Sequence, residues 1–270
     1  TGEQLQALSS SDLNVWDNLQ IQAISTGVLS ALSVSTIQSI STDQVSFLSQ
    51  GQVKSLGTSQ IAGLTTSQVK QLTDIQIAVL STTQVQAIET NDLASMTETQ
   101  MLLLNLSQTK SLTTDQMAAI TTTQIQVLDP TQIAVLSASQ VNALTSDDVQ
   151  LLNATQLVAL STAVMANLTT THIQELTTAQ IGTFIPAQLK VLSTDQVQAL
   201  TGGRITGLTV DELSAMSSTQ LQAIATLDVI ALTSDQLDGL AVNSHLTGYF
   251  SSAQLAAITT DQYSAIDSYR

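Results

Sequence analysis

The 270-residue sequence contains no cysteine, which excludes a disulfide framework and a thiolate site and leaves the redox compartment unmarked. Aromatic residues are few, at three Phe, three Tyr and one Trp, so a thin core of aliphatic side chains is expected rather than one large globular core. Bases are scarce: six Lys and Arg stand against 21 Asp and Glu, for a net charge of −15. Such a surface repels nucleic acid and anionic lipid, so no nucleic-acid partner is expected. No run approaches about 18 uninterrupted apolar residues, so membrane insertion is not expected. Thr1 starts with neither an initiator Met nor a signal-peptide pattern, and the chain reads as a mature or excised portion of something longer.

What is present is a single eight-residue unit, Ser/Thr-x-x-Gln-apolar-x-x-Leu, running in unbroken register over residues 4–240. With the Ser/Thr as position 1, position 4 falls on Gln44, Gln52, Gln60, Gln68, Gln76 and Gln84, and again on Gln116, Gln124, Gln132 and Gln140. Repetition of this regularity outranks any prior from composition. Three signals place a helix start at position 1. Ser/Thr-x-x-Gln is a capping box, in which the hydroxyl accepts an amide of the first turn and the Gln side chain reaches back. Both prolines, Pro130 and Pro186, fall at position 2, the first helical residue, where proline is favoured and beyond which it is damaging. All acids except Glu175 and Asp238 occupy positions 1 to 4, while Lys54, Lys70, Lys110 and Lys190 occupy position 6, an arrangement that complements the helix dipole.

One continuous helix is excluded. Eight residues at about 100° each leave the apolar stripe drifting roughly 80° per octad, so no partner could bury it. A β-solenoid is the serious rival, because Val, Ile and Thr are plentiful and Val45-Ser46-Phe47 could alternate. Positions 5 and 8 share a face at helical spacing and not at period two, however, and 11 glycines are few for so many strand turns. The fold class expected is therefore all-α: a solenoid of about 33 very short capped helices stacked into an elongated rod, each buried only against its neighbours. Positions 5 and 8 form the core, and the often small position 7 allows close approach. Two helices per coil would give a flat stack and three a triangular prism; the sequence leaves that open.

The domain reading is an uninterrupted octad array over 1–240, an irregular insertion over 241–250 where the register gains two residues, and terminal repeats over 251–270. The insertion carries Asn243, His245, Gly248, Tyr249 and Phe250; its bland interpretation is a bulge near a capping end. The sharper one is an assembly surface centred on His245, Tyr249 and Phe250. Val28, Val164 and Arg204 in place of Gln, and Gly202-Gly203, read as ordinary decay of the repeat.

No catalytic, cofactor-binding or metal-binding residue is assigned. His172 replaces Gln at position 4 and can still cap, and His245 has no acid beside it in sequence. Asp147-Asp148 and Asp211-Glu212 sit at positions 3 and 4, where the dipole accounts for them without a calcium or glycosidase site. Serines lack the G-x-S-x-G context and no phosphate-cradling loop is present, so an enzyme is not expected. Thr pairs such as Thr65-Thr66, Thr113-Thr114, Thr121-Thr122, Thr169-Thr170 and Thr177-Thr178 invite comparison with ice-binding arrays, but the first of each pair is committed as a cap. The same hydroxyls could accept O-linked glycans.

The strings STDQVQAL at residues 193–200 and TTSQVKQL at residues 65–72 resemble the LTTxQVxAL-type tracts of very large exported bacterial surface proteins of the adhesin and haemagglutinin kind. That resemblance implies an extracellular or cell-surface stalk or fibre component and supplies no site residues. The alternatives are a filament subunit joined head to tail, and a solenoid whose long face binds a protein or glycan. Expected partners are copies of the chain itself or flanking domains of a longer chain.

Overall fold

The computed structural model describes Asp12 and residues 14–243 and 246–267. Among the described residues there are 29 α-helices and two short 3-10 helices, and no strand. Each octad yields one helix, usually of four to six residues, as in Gln50–Ser55, Thr58–Ala62 and Ala138–Val141. The helix starts where the capping box places it: Ser41 Oγ accepts from the Gln44 amide at 3.3 Å, and Gln44 Oε1 accepts from the Ser41 amide at 3.0 Å. Asp129 caps the helix that opens with Pro130.

Termination uses no left-handed residue. The position 8 amide closes a last 3-10-type turn onto position 5, as in Leu48 N to Val45 O at 3.2 Å. Positions 8 and 1 are then both extended in many octads, for example Leu56 at φ −63°, ψ 130° and Gly57 at φ −71°, ψ 159°. Any L-residue adopts that pair, which is why few glycines suffice. Only Gly202 and Gly203, at φ +70° and +78°, have positive φ among the described residues, and they precede the 3-10 helix Arg204–Gly207.

The chain divides into two compact units, Thr1–Val135 and Leu136–Arg270. In the first, Gln50–Ser55 packs against Asp74–Val79, Thr58–Ala62 against Thr82–Ala87, and Thr66–Lys70 against Thr90–Ser95. In the second, Ser146–Leu151 packs against Thr170–Glu175, and Thr194–Gln198 against Ser218–Gln222. The partner is three octads away each time, so each unit is an α-solenoid with three helices per coil. The core is formed by positions 5 and 8, such as Ile77 and Leu80, and position 4 is buried with them. At about 1.5–3 kcal/mol for each fully buried aliphatic side chain, stacking supplies the stability that helices this short lack alone. Position 7 lies over position 2 of the helix three octads earlier: a Cβ at Gly63 would meet Val34 Cγ1 at 2.1 Å, and one at Gly239 would meet Val210 Cγ1 at 2.2 Å.

Around residues 241–250 the helix that starts at Ser234 runs on to Asn243, and a 3-10 turn, Leu246–Gly248, follows. The octad frame resumes at Ser251, which caps through Gln254. The two additional residues are thus absorbed into one longer helix and a turn.

Candidate functional site

The polar side chain at position 4 is the most heavily engaged group in the molecule. Gln68 is representative: its Oε1 accepts from the Thr65 amide at 2.9 Å, and its Nε2 donates to Ile37 O at 2.9 Å and Ile40 O at 2.7 Å. Those carbonyls belong to positions 5 and 8 of the octad four units earlier; the position 8 carbonyl is one that a helix leaves without an intrahelical partner, and the position 5 carbonyl also accepts from the position 8 amide, as in Ile40 N to Ile37 O at 3.2 Å. One amide therefore starts its own helix and finishes another. The same pair of donations recurs from Gln84 to Val53 and Leu56, from Gln116 to Val85 and Ile88, and from Gln188 to Leu157 and Leu160. It persists beyond the insertion, where Gln254 reaches Leu221 O and Ile224 O, 33 and 30 residues back instead of 31 and 28.

Replacements at position 4 keep part of this work. His172 presents Nε2 to Leu144 O at 3.2 Å and Nδ1 to the Thr169 hydroxyl. A carbonyl only accepts, so Nε2 donates to Leu144 O, and Nδ1 pairs with the Thr169 hydroxyl. Both ring nitrogens are thereby occupied, and the residue is buried. Arg204 donates through Nε to Leu176 O at 2.9 Å and through Nη1 to Thr201 O at 2.7 Å. Asp92 instead accepts from the Thr66 hydroxyl at 2.7 Å, and Asp228 from the Gly203 amide at 2.9 Å. Leu144 and Leu176 lie four octads before His172 and Arg204, as for Gln, whereas Thr66 and Gly203 lie three octads before Asp92 and Asp228.

The residues singled out from sequence fall as follows. His245 lies outside the described residues. Tyr249 is half-buried, and Phe250, at position 8 of its unit, is 2 % exposed. Glu212 caps through the Thr209 amide at 2.7 Å. Asp148 Oδ2 accepts from the Thr145 hydroxyl at 2.6 Å, while its buried Oδ1 has no hydrogen-bond partner. The leading residue of each Thr pair, Thr65, Thr113, Thr121, Thr169 and Thr177, accepts the position 4 amide. Among the described residues no group of three or more His, Cys, Asp or Glu is placed to hold a metal ion, and no helix is long and apolar enough to cross a membrane.

Two open clefts lie in the first unit. One is lined by Ile88, Glu89, Thr90 and Thr113, the other by Met96, Thr97, Glu98 and Thr121. They occupy the same octad positions one unit apart, so each is the corner between successive helices and a product of the period. At Asp129 the Thr131 hydroxyl, followed by the amides of Gln132 and Thr131, holds the carboxyl below its usual value against a smaller opposing effect of burial.

A family model for the ALTTAQ repeat matches residues 21–58 and 117–154. No curated protein matches the chain. The chain is thus a repeat protein, and its sequence is similar to the ALTTAQ repeat over those two stretches. Sequence reading found the capping role of position 4 and missed its second role. A signal was present: a capping box accepts Glu as readily as Gln, yet among the octads of residues 4–240 Glu stands at position 4 only at Glu212, which is incompletely buried. A carboxylate cannot donate to two carbonyls; an amide can.

Proposed function

We propose that the chain is a non-enzymatic structural repeat segment, a spacer or stalk component displayed outside the cell or on its surface. The observation that carries this reading is where the polar side chains go. Position 1 hydroxyls and position 4 amides, the commonest candidates for chemistry, are engaged in starting and joining helices, and the surface clefts repeat with the octad. The exported-protein character is supported by the resemblance of the octads to tracts in large bacterial surface proteins. The acidic net charge supports solubility and disfavours nucleic acid.

In such a spacer, length follows octad number. Excising residues 65–88, one whole coil of the first unit, should leave helix content per residue unchanged. It should shorten the first unit along its stack by about 8–10 Å, one helix spacing, read as the distance between spin labels on exposed residues of that unit on either side of the deletion. An unfolded product, or an unchanged distance, would refute the role. Protease shaving of intact source cells tests the location: a chain cleaved only after lysis is not displayed outside.

A further inference from the structure

We infer that the turn at Gly202-Gly203 is a place where the backbone can be cut without releasing the two pieces, because the helices on either side are interleaved rather than joined end to end. Consecutive helices are linked by the chain, but hydrogen bonds and packing run three and four octads away. Three helix pairs therefore span a cut between Gly202 and Gly203. Thr178–Ile181 packs on Arg204–Gly207, Pro186–Leu189 on Val210–Ala215, and Thr194–Gln198 on Ser218–Gln222. Four side-chain hydrogen bonds span it as well. Arg204 donates to Leu176 O and Thr201 O, and Gln220 donates to Leu189 O at 2.8 Å and Leu192 O at 2.7 Å.

The turn also presents exposed backbone to a protease. Gly202 is exposed, the two glycines hold the only positive φ values among the described residues, and a Cβ on Gly203 would meet nothing within 4 Å. Elsewhere over residues 18–243 the connections between successive helices are two to four residues long, against five over residues 199–203. An array built this way keeps its coils after a break that would divide a chain of independently folded beads. This property goes beyond the spacer role and does not depend on where the chain is displayed.

The test uses the full chain with a site-specific protease sequence inserted between Gly202 and Gly203. After complete cleavage, shown by two bands on a denaturing gel, the pieces should still sediment as one particle at the uncut mass, with helical circular dichroism retained. Separation at micromolar concentration, or loss of the helical signal on cutting, would overturn the inference. Should that insertion prevent folding, the protease sequence is placed in the full chain between Thr201 and Gly202 instead, and the cut chain is passed over a resin that binds a tag on one end. Recovery of both through a tag on one supports the inference, and recovery of the tagged piece alone overturns it.

A pair of variants separates bridging from general stability. Gln220→Leu removes two bonds that span the cut and should raise the dissociation constant of the pieces at least about tenfold. Gln236 donates to Thr206 O and Leu208 O, both on its own side of the cut, so Gln236→Leu should leave that constant within about threefold. Equal effects of the two variants would count against interleaving.

Discussion

At the scale of single residues, the amide at position 4 decides most. Gln116 is buried, with Nε2 at 2.8 Å from both Val85 O and Ile88 O. Gln116→Glu would set a carboxylate against two carbonyl oxygens, leaving Ile88 O without its Gln donor and Val85 O with the Ile88 amide at 3.2 Å. A cost of about 2–4 kcal/mol is expected in urea unfolding, against less than about 0.5 kcal/mol for the exposed Gln86→Glu; equal costs would remove the bridging role. Asp129 gives a pH test. Its folded-state pKa is lowered, so its stabilising contribution is fully present above the ordinary aspartate range and is lost as pH falls through the lowered folded value. Asp129→Asn keeps a good cap and should flatten that part of the acid limb; an unchanged limb in the variant would show that the carboxylate contributes nothing there. The capping half of position 4 was legible in Ser/Thr-x-x-Gln because it spans three residues. The bridging half was not, because its acceptors lie 28 and 31 residues back and no local spacing marks them.

At the scale of the element, the start of each helix was legible nearly everywhere, since hydroxyl, Gln, proline and acid all report on the same turn. Proline tests this directly. Thr82 is the first residue of its helix and follows Ser81 at φ −72°, ψ 161°, a conformation that a following proline favours. Thr82→Pro should therefore change the thermal midpoint little. Val85→Pro, three residues later, removes the amide that bonds Ser81 O at 2.9 Å and should cost about 3 kcal/mol or more; comparable losses from both would displace the helix start. Octads without a side-chain cap, at Gly57, Glu89, Ile185 and Ala225, still form helices, so stacking outweighs any single cap. What the sequence understated is residues 201–208. The Gly-Gly pair looked like decay of the repeat, but it turns the chain through two left-handed residues into a 3-10 helix, and Arg204 takes over part of the missing amide's work.

At the scale of the whole molecule, the all-α solenoid was readable from the period together with the caps, prolines and charges, because positions 5 and 8 share a face at helical spacing and not at a strand's period of two. The number of helices per coil was not, since the core residues carry no alternation. Three is set by packing: position 7 must clear position 2 of the helix three octads earlier, and position 4 must reach the carbonyls four octads earlier. Within a unit both conditions relate each regular octad to its predecessors in the same way, so removal of eight residues, such as 81–88, should be tolerated where removal of four is not. Circular dichroism of the two deletions decides this, and equal helicity would refute it. The buried amides also have a bearing on chemical ageing. Hydrolysis of a Gln side chain to Glu replaces a double donor by a negative acceptor, so each such event would open one link between coils. The burial that makes the lesion harmful also keeps water from the amide, so the chain's interior wears more slowly than its exposed glutamines.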